Sequence, residues 1–334
     1  MHWPKFSCQF WLDFGHRCHW AASIFGGIVC VLLFYLVVFT NKRALADFRL
    51  ILFFCCVADI YCWLISSWVQ LSGDVTQGTL LVVLEGLGGL YSPQAQQIFI
   101  IVFAHSVVLV VFMLPMNCYC RHVLIMTSRP LRPSKTFLVF GVACMLAGLL
   151  ATWAGLAFTW DGNGRLYGSC LIRSNRLILR AAVDDLFTKL CFLSILICYA
   201  TVYVASIYWA RQTLFYIKQR RRSYSSKALS LQQQLTRIMI VQAIVPILTS
   251  VGPGIMNAVT MLLKVEAGNF GMTVYGLVSW IPFANPLATI IIIKPYRKHL
   301  LRMFGAKKLF SVSSSTGGSY SVTRVVSFVS KTQN

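Results

Sequence analysis

Seven stretches of this 334-residue chain are each long and apolar enough to cross a lipid bilayer, and no other feature restricts its folding so strongly. A crossing helix needs roughly 20 apolar residues, because each residue advances about 1.5 Å through a hydrocarbon core about 30 Å thick. The stretches are 20–39, 48–71, 98–119, 136–158, 186–208, 238–263 and 272–293. Lipid offers no hydrogen-bond partners, so each stretch must satisfy its own N–H and C=O groups as a helix. The expected fold is an all-α membrane protein, a seven-transmembrane helix bundle. A shorter apolar stretch, Leu80 to Leu90, carries Glu85 and three glycines and reads as an outer loop or a shallow cap.

Charge placement orients the bundle. Hydrophobic residues make up 57% of the chain and charged residues 12%, yet the net charge is +21. In a soluble domain that excess would suggest nucleic acid. Here the basic residues sit in short loops between apolar runs, the pattern that sets membrane topology. With the N-terminus outside and the C-terminus inside, 22 of the 30 Lys and Arg residues fall on the inner side. The stretch 161–180 is the exception, with four arginines partly offset by Asp161, Asp184 and Asp185. The first run is longer than a signal-peptide core and has no small-residue cleavage motif, so it reads as a retained anchor. Residues 1–304 form the expected seven-transmembrane domain. The serine- and threonine-rich segment 305–334 is expected to be a disordered cytoplasmic tail. Before it, Lys294 to Phe304 alternates basic and apolar residues, which suits a helix lying along the inner leaflet.

Enzyme chemistry finds no foothold. There is no HExxH motif, no phosphate-binding glycine loop and no nucleophile elbow around Gly168-Ser169-Cys170. The 12 cysteines show no metal-ligand spacing, and only Cys8, Cys18 and Cys170 fall outside the bilayer. No cofactor and no metal are expected, and membrane lipid is the surrounding partner.

Polar residues inside spans carry more information, because a charge in lipid must face the bundle interior. Asp59 lies mid-span in the second run, as a structural partner or as a hinge for activation. His105, Asp184, Asp185, Lys189, Asn257, Tyr275 and Trp280 fall in the outer halves or middles of their runs and together suit an outward-facing ligand pocket. Taken singly, each is more often a packing or interface residue. Lys189 follows Asp185 by four residues, so the two can pair along one helix face. Pro246 and Pro253 interrupt the sixth run, and Pro282 and Pro286 the seventh, where each removes a backbone hydrogen bond and favours a kink. Arg220-Arg221-Arg222 in the loop before the sixth run attracts anionic lipid or docks a cytosolic partner.

Three motifs carry a resemblance. Pro115-Met116-Asn117-Cys118-Tyr119-Cys120-Arg121-His122 closes the third run. Leu231-Gln232-Gln233-Gln234-Leu235 leads into Val241-Gln242-Ala243-Ile244-Val245-Pro246. Asn285-Pro286-Leu287 leads to Lys294-Pro295-Tyr296-Arg297. In these the chain resembles the nematode seven-transmembrane chemoreceptors of the str superfamily, most closely serpentine receptor class delta. In the first motif Cys120 and His122 stand where the family usually has aromatics. The resemblance implies a G-protein-coupled receptor fold, an odorant- or pheromone-like small-molecule ligand, a heterotrimeric G protein as partner, and a plasma membrane location, including sensory cilia of chemosensory neurons. It implies that Arg121 holds the resting state or meets the G protein, and that Pro246 bends a moving sixth helix. Asp59, Gln242, Asn285, Pro286, Tyr296 and Arg297 join them in the expected coupling region. Many serpentine receptors tie the third helix to the second outer loop by a disulfide. No cysteine lies between Cys62 and Cys118, which leaves Cys8 or Cys18 as partners for Cys170, if it pairs. The alternative function is a seven-helix ligand-gated ion channel or transporter.

Overall fold

The computed structural model of the chain describes residues 5–40, 46–127, 131–160, 176–219, 241, 243–245, 247–265 and 270–303. The first five apolar runs form α1 (Lys5–Phe39), α2 (Ala46–Val69), α3 (Pro93–Thr127), α4 (Pro133–Leu156) and α5 (Leu186–Gln219). The sixth candidate span runs Ala243–Leu262 and contains a π-helical turn at Ile247–Val251 followed by α6 (Gly252–Leu262). The seventh is a broken pair, α7 (Phe270–Val278) and α8 (Ile281–Ile292), and α9 (Lys294–Met303) follows it. Among the described residues six helices are each long and apolar enough to cross a membrane, and the bent pair, taken as one span, makes seven.

The break between α7 and α8 turns the chain by 43°. Pro282 has no N–H to give the carbonyl of Val278, and its ring crowds that carbonyl, so the helix stops at Ser279-Trp280 and restarts with Trp280 as N-cap. Pro286 sits inside α8 without ending it. In the sixth span the irregularity is the π turn directly ahead of Pro253, where a side chain on Gly252 would stand 2.5 Å from the Ile247 carbonyl oxygen.

The central helix is α3. Its residues Ser106 to Leu114 are buried without a break, as expected of a helix surrounded by neighbours. α4 packs on it through Ala143, Ala147, Ala151 and Gly155, a four-residue repeat of small buried side chains. A methyl group on Gly155 would lie 2.0 Å from Ile101, so the two backbones approach as closely as glycine permits. The opposite face of α4 turns Phe137, Leu138, Met145 and Leu149 outward, as lipid contact requires.

One layer is added to the expected helix bundle. A four-stranded antiparallel sheet, in the order β1-β2-β4-β3, caps the bundle at the end expected to face outside. Its strands are β1 (Leu71–Thr76), β2 (Thr79–Leu84), β3 (Thr159–Trp160) and β4 (Ile178–Ala182). Gln77 and Gly78 make the two-residue hairpin turn, with φ of 49° and 75°, the left-handed pair that matches strand twist. The stretch that read as a loop or shallow cap is therefore half strand. β2 is buried along its whole length because both faces are covered. Leu80, Val82 and Leu84 face the bundle beside Ile100, Phe158 and Met261. Leu81 and Val83 face Trp11 and Leu12, in the turns of α1 that precede the expected first span, and Met272 of α7. A strand covered on both sides reads as a continuous apolar run, which is why no alternation marked it.

Candidate functional site

A cavity of about 180 Å³ lies beneath the sheet, among α3, α4, α5, α6 and α7. Leu71 and Leu80 of the sheet roof it, Phe103 and Val107 of α3 form one wall, and Phe192 and Tyr199 of α5 another. No lining side chain carries a charge. Asn257, Tyr199 and Tyr275 bring its principal polar atoms. Asn257 is buried on α6, and its Oδ1 has no hydrogen-bond partner among the described residues. Its backbone carbonyl accepts a hydrogen bond from the Thr260 hydroxyl at 2.9 Å. The Tyr275 ring rests on Gly73 of β1, which couples a cavity wall to the cap.

Of the seven residues expected to line a ligand pocket, Asn257 and Tyr275 line this cavity. His105 stands at the seam of α2, α3 and α4, with Nδ1 3.1 Å from the Tyr61 hydroxyl and Nε2 3.4 Å from the Cys144 carbonyl oxygen. Trp280 sits at the α7–α8 break, edge-on to Phe283 with ring centres 5.3 Å apart, and does not line the cavity. Asp184, Asp185 and Lys189 are exposed at the start of α5. The expected Asp185–Lys189 pair does not form. Asp185 instead accepts a hydrogen bond from Thr188 at 3.1 Å, and Asp184 pairs with Lys264 at 2.7 Å. The helix start decides this. Asp185 precedes the first turn of α5, where its carboxylate is spent on the Thr188 hydroxyl rather than on a residue one turn further on.

A second polar cluster lies deeper in the bundle. The Asn285 amide of α8 donates to Asp59 Oδ1 of α2 at 3.5 Å, and both residues border a cavity of about 30 Å³ with Asn117 of α3. One turn further along α3 is Arg121, also buried. Its neighbours Tyr119 and His122 pack on Trp209 of α5 with ring centres 5.2 and 5.0 Å away. Tyr296 of α9 is buried among Leu36, Val37, Leu52, Cys56 and Ile293, which holds α9 against α1 and α2, while Arg297 is exposed. Arg220, Arg221, Arg222, Gln242, Pro246, Cys170 and the tail from 305 lie outside the described residues, as does the side chain of Cys8. Cys18 is half-buried with a free thiol.

Sequence reasoning missed most of the cavity wall. Phe103, Val107, Phe192 and Ala258 are apolar residues in apolar runs and carry no mark of their position. Lys264 was legible only as a lone cation beyond the sixth run. Glu85 faces the extended part of α1, 3.8 Å from His16. Burial raises its pKa, and a hydrogen bond from Ser72 and the nearby His16 oppose that shift.

The sequence model for the serpentine-type seven-transmembrane G-protein-coupled chemoreceptor family Srd matches residues 16–164 and 171–302. Serpentine receptor class delta-32 of Caenorhabditis elegans is 25% identical over 108 residues, a segment covering 32% of this chain and 32% of that protein. The fold is similar to the crystal structure of squid rhodopsin, with a TM-score of 0.66 at 11% identity, covering 92% of this chain and 87% of that one. Likeness at that identity bears on the fold, and it is the fold of a seven-transmembrane receptor. The family match spans all seven helices and the motifs that carried the resemblance, and the chain belongs to the Srd family of serpentine chemoreceptors.

Proposed function

We propose that this chain is a chemosensory G-protein-coupled receptor that binds a small molecule in the cavity beneath the sheet and signals to a heterotrimeric G protein at the opposite end. The observation that carries this reading is the cavity itself. It touches five helices and the sheet, so an occupant bears on how α5, α6 and α7 pack against α3. A ligand shifts such an equilibrium only by its difference in affinity for the two packings. The π turn and the α7–α8 break are the irregular places where a change in packing is most easily absorbed. At the basic end, Arg121, buried on α3, is read as the residue that holds the resting state or meets the G protein. Arg220, Arg221, Arg222, Gln242, Pro246 and Arg297 belong to the same region in this reading. The expected site is the plasma membrane of chemosensory neurons, at their sensory cilia.

The test is second-messenger output in cells expressing the receptor, challenged with an odorant and pheromone panel. Arg121→Ala is expected to abolish the response while surface expression persists. Gly254→Leu, which fills the cavity, is expected to remove the response at the ligand end. Normal signalling by both variants would sink the proposal. Tags on both termini in intact cells test the topology, which requires the N-terminus outside.

A further inference from the structure

The Asn257 amide is placed against the grain of its surroundings. The residue is 6% exposed, it lines a cavity of about 180 Å³ walled almost wholly by apolar side chains, and its Oδ1 has no partner among the described residues. An amide oxygen left unsatisfied in such a setting destabilises a fold. Helix α6 has an apolar alternative at this position, as Ala258 and Met261 beside it show. The Thr260 hydroxyl bonds the Asn257 backbone carbonyl, not its side chain, so the helix does not consume the amide locally.

Four physical limits define what meets that amide. The lining side chains named supply no counter-charge, and an ion buried without one is strongly disfavoured, so the occupant is neutral. The walls are apolar, so most of the occupant is apolar. A dry apolar cavity of about 150 Å³ accepts a benzene-sized guest, so this one suits a molecule somewhat larger. An amide offers one donor end and one acceptor end, and rotation about its last bond exchanges them. A hydroxyl or a carbonyl group satisfies it.

We infer that the cavity takes a neutral, mainly apolar small molecule bearing one hydroxyl or carbonyl group, and that the Asn257 amide is the group that recognises it. This rests on the reading that the cavity is the ligand site. It adds the chemical class of the ligand and the residue that selects it.

The experiment uses the full chain in lipid nanodiscs and five probes of one length: 1-heptanol, 2-heptanone, heptane, heptanoate and heptylammonium. Binding is read by saturation-transfer NMR as the difference between the unaltered receptor and Gly254→Leu. A Cβ at Gly254 meets nothing closer than Tyr199 at 3.8 Å, and Gly254 lines the cavity, so the first carbon of the new side chain is accommodated and the rest is directed at the cavity. Ala258→Phe is the second filled variant if the first melts early. Heptanol and heptanone are expected to show cavity-dependent binding, and the two ions none. Asn257→Leu, with its folding checked by thermal melt, is expected to weaken the alcohol and the ketone about three- to tenfold while leaving heptane unchanged, the loss of one hydrogen bond. Asn257→Gln is expected to restore part of it. Ions that bind as well as the alcohol, or an Asn257→Leu that weakens all three neutral probes alike, would overturn the assignment while leaving the cavity as the site. Binding that persists in both filled variants, or no cavity-dependent binding of any probe, would remove both.

Discussion

Gly73 of β1 and Tyr275 of α7 meet so closely that a methyl group on Gly73 would stand 2.2 Å from the tyrosine Cε2. The same strand meets α7 a second time at Gly271, where an added carbon would lie 2.8 Å from the Asp74 Cα. The sheet is thus seated on the helix that carries Tyr275, one of the polar residues of the cavity. Cap and cavity are one packed unit, and a change in either is felt by the other.

Gly73→Val tests that seating. The larger side chain must push the Tyr275 ring aside, an overpacking expected to destabilise the receptor by about 1–3 kcal/mol. A lowered thermal midpoint of the purified receptor in detergent is the readout, and an unchanged midpoint would mean that the cap rides loosely.

The contact of α3 with α4 is tested at Gly155. Gly155→Val places two methyl groups against Ile101 and is expected to lower stability by a similar amount, about 1–3 kcal/mol. Leu149→Ala, on the outward face of the same helix, removes more volume and is expected to change the melting midpoint little, because in the membrane that face meets lipid.

The Asp59–Asn285 hydrogen bond joins α2 to α8. Melts of Asp59→Leu, Asn285→Leu and the double variant form a cycle, and the expected coupling is about 0.5–1.5 kcal/mol. Strict additivity would show that the two residues act independently.

Lys264 and Asp184 form a short ion pair, yet both are exposed, at 56% and 77%. Exposed pairs contribute about 0–1 kcal/mol and are screened by salt. Lys264→Ala is therefore expected to leave the thermal midpoint nearly unchanged, with any small loss vanishing in high salt.

Glu85 gives a pH signature. Burial raises its pKa in the folded receptor above the unfolded value, so the folded chain holds that proton more tightly. Its ionisation therefore weakens the fold above the folded pKa, and the penalty is relieved as pH falls through that range. Melting midpoints of the unaltered receptor minus those of Glu85→Gln are expected to rise on acidification from neutral pH, and a flat difference would show that the Glu85 environment is not carried by burial.

Helix number and type were legible in the chain, because a bilayer forces any backbone within it to bond to itself and the required length is fixed by thickness. Asn257 and Tyr275 were legible as polar residues in apolar runs. So were the positions of the helix irregularities, since Pro253 and Pro282 lack the N–H that a helix needs. The sheet was not legible. Strand β2 is covered on one side by the bundle and on the other by an extension of α1, and only the assembled fold brings those covers together. The setting of His105 and the Asp184–Lys264 pair were not legible for the same reason. A helical run fixes a residue's depth along the axis, but the rotation of each helix is set by packing, and that rotation turned His105 towards Tyr61 and away from the cavity. Local periodicity thus decided what crosses the membrane. Which faces meet inside it was decided by close contacts such as Gly155 on Ile101 and Gly73 on Tyr275, whose partners are distant in sequence.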